Sequence, residues 1–113
     1  MKVFINPGHG SSDPGATGFG LNEADVALKV GMLLENKLKT RNIETQLFQS
    51  DALSSVPVKA NTWGADVFIS IHCNAYNGAA RGTETLVYRL GTQGAALADA
   101  IQSKIVSTLN TID

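Results

Sequence analysis

The order of elements along the chain predicts an α/β protein: three layers, α/β/α, built on a mostly parallel, mixed sheet whose fourth strand runs antiparallel. Three observations carry that prediction. Short apolar or β-branched runs alternate with stretches of helical spacing in the order β-α-β-α-β, and such alternation builds a parallel sheet covered on both faces. Val67-Phe68-Ile69-Ser70-Ile71 is β-branched and apolar on both faces, as a central strand of such a sheet is. Between His72 and Thr83 there is room for a loop but not for a crossover helix, so the next strand should turn back antiparallel to it.

Each element has its own local reason. Residues 3–5 form a short apolar run halted by Asn6-Pro7-Gly8, which predicts a buried first strand. Residues 8–21 are a long loop rich in Gly, Ser and Pro. Asn22 is a good N-cap, with Asp25 three residues on and able to reach back. Ala27, Val30, Leu34 and Leu38 then recur at helical spacing and predict one buried stripe running to about Thr40. Residues 43–48 read as the second strand, 56–63 as a short helix ending at Gly64, and 83–88 as the fourth strand. Leu97, Ile101 and Ile105 mark a final helix. No repeat, low-complexity segment or linker interrupts the chain, so residues 1–113 are expected to be one domain.

Composition removes several functional classes. Hydrophobic residues make up 43% and charged residues 17%, as in a folded globular protein and unlike a disordered one. A net charge of -1 offers no electrostatic footprint for nucleic acid or an anionic membrane. No apolar run approaches the roughly 20 residues of a membrane span. The amino end meets Asn6-Pro7-Gly8 too early to hold the hydrophobic region of a signal peptide. A single cysteine, Cys73, excludes an internal disulfide.

The chemistry-bearing residues gather at strand ends. The only two histidines are His9, in Pro7-Gly8-His9-Gly10, and His72, in Ile71-His72-Cys73-Asn74. Each stands just beyond the carboxyl end of a strand, and in a parallel sheet those ends share the edge where open α/β folds place their ligands. Either they are unrelated polar loop residues or they form one site. A metal site needs a third donor, and Glu23 is the natural candidate, at the first turn of the helix that begins on the same edge. An acidic residue also suits a helix amino end for electrostatic reasons alone. Two His and one Glu leave a fourth tetrahedral position open, the arrangement of catalytic rather than structural zinc. The loop Gly8-His9-Gly10-Ser11-Ser12-Asp13 lacks the third glycine of a dinucleotide fingerprint, and no Lys-Ser or Lys-Thr pair follows as in a P-loop. If the third strand keeps alternating, Cys73 faces away from the metal and is a small buried residue rather than a ligand or nucleophile.

Taken in order, Ile5-Asn6-Pro7-Gly8-His9-Gly10, Asp13-Pro14-Gly15-Ala16, Asn22-Glu23, Ser70-Ile71-His72-Cys73-Asn74-Ala75 and Gly82-Thr83-Glu84-Thr85 resemble the zinc-dependent N-acetylmuramoyl-L-alanine amidases. That family includes cell-wall hydrolases, spore-associated autolysins and phage endolysins, and the resemblance covers effectively the whole chain. It implies that His9, Glu23 and His72 are ligands of one Zn2+ ion. Asn6 stands where the family commonly has Asp, and Cys73 where it commonly has Ala. Asn74 either lines the substrate groove or closes its loop. Glu84 matches an acidic position of the family, for which work behind the ligands or strand anchoring is expected.

The implied reaction is hydrolysis of the amide between the lactyl group of N-acetylmuramic acid and L-alanine in peptidoglycan, with zinc activating water and polarising the carbonyl. The departing amine must receive a proton. In the family that role looks to belong to a glutamate on a late strand, within a Pro-Ala-x-Leu-x-Glu pattern. No such pattern occurs here; after Glu84 the only acidic residues are Asp99 and Asp113. The resemblance therefore implies the amino-terminal, metal-holding portion of the catalytic domain, with peptidoglycan or muropeptides as partner and an extracellular or cell-wall location. Two alternatives stand beside it: a catalytically incomplete zinc-holding fragment that binds cell-wall material or a partner, and a carboxypeptidase-like zinc hydrolase. The last needs an arginine for a terminal carboxylate, and only Arg81 lies near a predicted site loop. A shortened sheet would leave an unpaired edge and apolar surface, so self-association through that surface is also expected.

Overall fold

Strand β1 (Lys2–Pro7) is flanked on both sides by parallel partners, β4 (Glu44–Leu47) and β5 (Val67–Ile71), giving the sheet order β4-β1-β5. The computed structural model describes residues 1–75, 79 and 81–111. They divide into two compact units, Met1–Asn74 and Ala75–Asp113. Helix α1 (Glu23–Lys39) joins β1 to β4, and α2 (Ser55–Trp63) joins β4 to β5. Alternation along β1 sends Phe4 to one face and Ile5 and Pro7 to the other. Phe4 is fully buried with Val56 and Ala60 of α2, among Phe48, Trp63 and Ala65. Its ring stacks on Phe68 at 5.8 Å and meets Trp63 at 6.3 Å. On the opposite face α1 packs against β1 and β4. The first unit is thus a mixed α/β fold with helices on both faces of a parallel sheet.

Three expectations are corrected. The central strand is β1, not Val67–Ile71: β1 has a ladder on each side, whereas β5 pairs only with β1 among the described residues, and Phe68 is 48% exposed. Both segments are apolar on both faces, so residue pattern alone cannot rank them. The buried stripe of α1 is Ala24, Ala27 and Gly31, and Val30 is exposed. Small residues win because the helix lies close to the sheet: a Cβ at Gly31 would stand 2.9 Å from Pro7 Cγ. Finally, the fourth strand does not form. Residues 81–87 are not a strand, and the Gln102 side-chain amide donates to the Thr83 carbonyl at 2.7 Å, taking an acceptor that a ladder would need. The antiparallel pairing in this chain is instead a two-residue hairpin, β2 (Thr17–Gly18) with β3 (Leu21–Asn22), inside the long loop. Its turn residues Phe19 and Gly20 have φ of 52° and 76°, as a tight primed hairpin turn requires.

Caps follow the sequence closely. Asn22 accepts from the Asp25 backbone N–H at 2.8 Å and donates its amide to the Asp25 carboxylate at 2.8 Å. Gly64 ends α2 in the left-handed conformation. In the second unit, α3 (Gln93–Leu109) starts at Thr92, whose hydroxyl accepts from the Ala95 N–H at 3.2 Å, and stops at left-handed Asn110.

Candidate metal centre

The site is set by sheet register. Pro7 pairs with Ile71 at the carboxyl ends of β1 and β5, and the Gly8 N–H donates to the Ile71 carbonyl at 2.8 Å. The next residues, His9 and His72, therefore leave the sheet side by side, with ring centroids 5.2 Å apart. Asn6 fixes this end of the sheet from within. It is buried, donates its amide to the Phe48 carbonyl at 3.0 Å and accepts from the Ser70 hydroxyl at 3.0 Å, so all three strands are tied. A carboxylate at position 6 could not make the first of these bonds.

Glu23 begins α1 and is only 6% exposed. Each of its oxygens meets one backbone N–H and one imidazole nitrogen. Oε2 accepts from the Ala16 N–H at 3.0 Å and faces His9 Nε2 at 3.1 Å. Oε1 accepts from the Cys73 N–H at 2.8 Å and faces His72 Nδ1 at 3.0 Å. Burial pushes the Glu23 carboxyl up, but the N–H groups of Ala16 and Cys73, the His72 contact and the charge of His9 outweigh it, leaving the pKa below the ordinary carboxylate value. His9 shifts the other way, above 6.5, chiefly through its hydrogen bond to Asp13, with desolvation opposing and Glu23 assisting. Donor atoms of His9, Glu23 and His72 all lie within 4.8 Å of one another, a group that can hold a metal ion.

Glycines make the approach possible. A Cβ at Gly15, whose φ is +67°, would stand 2.6 Å from His9 Cδ2 and 2.8 Å from Glu23 Oε2. One at Gly8 would overlap the His72 ring. His9 itself has φ of 60°, a left-handed conformation uncommon for a residue with a side chain. The loop is anchored by groups that sequence reasoning did not find. Gln49 donates its amide to the Gly8 and Ala24 carbonyls, at 3.1 and 2.9 Å. The Asp51 carboxylate accepts from the Ser12 N–H at 2.9 Å and from its hydroxyl.

A family model described as N-acetylmuramoyl-L-alanine amidase matches residues 3–113. The chain belongs to the N-acetylmuramoyl-L-alanine amidase family. It is 35% identical to the sporulation-specific N-acetylmuramoyl-L-alanine amidase of Bacillus subtilis, over 100% of this chain and 46% of that protein. It is 34% identical to an endolysin of Bacillus phage SPP1, over 91% of this chain and 42% of that one. The solved structure of N-acetylmuramoyl-L-alanine amidase AmiC2 of Nostoc punctiforme superposes with a TM-score of 0.87 at 32% identity, covering 100% of this chain and 65% of that one. The chain thus spans about half the length of the first two relatives.

Cys73 contributes its backbone N–H; its thiol is half-buried and lies outside the donor group, and burial, with Glu23 nearby, raises its pKa. Asn74 is exposed two residues beyond His72. Glu84 and Arg81 are exposed and belong to the second unit.

Proposed function

We propose that residues 1–113 are the metal-holding portion of the catalytic domain of a zinc-dependent amidase that cleaves the bond between N-acetylmuramic acid and L-alanine in peptidoglycan. The observation that carries this reading is the convergence of His9, Glu23 and His72 from three separate segments onto one edge of a parallel sheet, in a chain of this family. The donor set fits the ion. Two imidazole nitrogens and a carboxylate oxygen are donors that zinc takes, and here one such atom from each residue lies within 4.8 Å of the others. Two imidazoles aimed at one buried carboxylate also concentrate lone pairs that a divalent cation would satisfy. When bound, zinc supplies Lewis acidity that activates water and polarises a carbonyl.

The chain's own residues do the holding. Glu23, kept ionised by two backbone N–H groups, supplies the anionic ligand, and the two histidines supply neutral ones. Asn74, at the same strand end, either lines the substrate groove or closes its loop. The partner is peptidoglycan or its muropeptides, and the place of work is the cell wall. Among the described residues no helix is long and apolar enough to cross a membrane. The test pairs two measurements on the purified protein: zinc uptake, expected at one ion per chain, and release of free L-alanine amino termini from muropeptides by a version extended through a Pro-Ala-x-Leu-x-Glu segment. Failure to take up zinc would remove the metal reading, and cleavage at any other bond would remove the amidase reading.

A further inference from the structure

We propose that Asp13 is a positioning residue of the metal centre: its carboxylate holds the Nδ1–H of His9, so that Nε2 is the atom offered to the ion. The inference rests on the metal reading above and assigns a task to a residue outside the three donors. Asp13 Oδ2 lies 2.8 Å from His9 Nδ1, while His9 Nε2 faces Glu23 Oε2 at 3.1 Å. An ionised carboxylate can only accept, so the contact holds the ring proton on Nδ1, and Nε2, which faces Glu23, is left as the nitrogen that can give up its proton to an ion. Without such a partner the imidazole divides between two tautomers and rotates more freely. Asp13 is itself held. Its Oδ1 accepts from the Gly15 N–H at 3.0 Å, and its carbonyl accepts from the Gly10 N–H at 3.1 Å. Gly15 in turn leaves no room for a Cβ against the His9 ring. The same short turn therefore aims the carboxylate and closes against the ring it orients.

The test compares the parent with Asp13→Ala and Asp13→Asn. Zinc affinity is read by competition with a chromophoric chelator, and the metal-binding nitrogen of His9 by 15N–113Cd coupling in the cadmium-loaded proteins. Asp13→Ala is expected to weaken zinc by about 10–100-fold, the usual effect of removing a group that orients a ligand histidine, and to reduce the coupling to Nε2. Asp13→Asn keeps an oxygen that accepts from Nδ1, so it should recover most of the affinity and retain the Nε2 coupling. Melting of the chelated proteins supplies the control for folding. Equal zinc affinity of Asp13→Ala and parent would overturn the proposal, as would a loss that merely follows the variant's unfolded fraction. Asp13→Asn failing as badly as Asp13→Ala would also overturn it, because charge rather than orientation would then be at work. A parent that takes up no zinc would fail at the metal reading itself, which a zinc-binding parent with an indifferent Asp13 would leave intact.

Discussion

Glu23 occupies a position where an acidic side chain suits a helix amino end whatever its function, at a gain of about 0.3–1 kcal/mol. Its burial and its four polar neighbours go beyond what that role requires. Glu23→Gln presents an amide nitrogen to one of the two N–H donors, so the metal-free protein should lose about 1–3 kcal/mol. Zinc affinity should fall far more steeply than that loss explains, and calorimetric titration of the two proteins checks it; matched affinities would end the ligand assignment. The titrating groups predict two limbs in the stability of chelated protein. His9 has a raised pKa, so its contribution is complete below 6.5 and is lost as pH rises through the folded value. Glu23 and Asp13 have depressed pKa values, so theirs is present above about 4.5 and is lost on acidification. Melting from pH 4 to 8 should peak between these limbs, and His9→Ala should flatten the upper one. The two histidines and Glu23 were legible because each sits at the end or start of a recognisable element. Asp13 and Gln49 were not: one works through a turn whose shape no pattern encodes, the other through contacts that cross 41 and 25 residues of chain.

The limits of α1 follow from Asn22 and from helical spacing, and Ala27, Leu34 and Leu38 lie on its covered face as expected; only Val30 does not, and Gly31 takes its place where the helix comes close to the sheet. Gly31→Leu should therefore cost about 1–3 kcal/mol through overpacking against Pro7 and Leu47, despite leucine's better helix propensity; urea denaturation measures it, and an unchanged midpoint would refute the close packing. The strands divide likewise. Val67–Ile71 was located to the residue, but its neighbours were not, since ladder order is a tertiary property. The segment 83–88 has strand composition and no strand: no ladder pairs with it among the described residues, and its Thr83 carbonyl accepts from Gln102 instead. The hairpin at Thr17–Asn22 escaped because Phe-Gly is not the usual Asn-Gly signal for such a turn.

At the scale of the whole molecule, all three donors belong to the first unit, Met1–Asn74. Holding an ion and completing a reaction are thus separable, and the sequence makes the second the harder test. The 113 residues contain no Pro-Ala-x-Leu-x-Glu segment, and removing a general acid/base usually lowers a rate about 10²–10⁴-fold. These residues alone are expected to bind zinc and to hydrolyse muropeptides at a trace rate. Turnover comparable to an extended version would make Glu84 the first residue to mutate.

The pairing of Pro7 with Ile71 that sets His9 beside His72 also means that the donors meet only after distant stretches of chain have come together. In the unfolded chain Glu23 and His72 are 49 residues apart, and no local segment can gather all three. An ion that recognises the assembled edge and not the open chain acts as a reversible cross-link, drawing the equilibrium toward the folded form. At a free concentration 100 times its dissociation constant it adds about 2.7 kcal/mol to folding, a large share of what a chain this small can hold in reserve. Zinc supply would then govern how long the protein survives proteolysis, before it governs any bond that is cut.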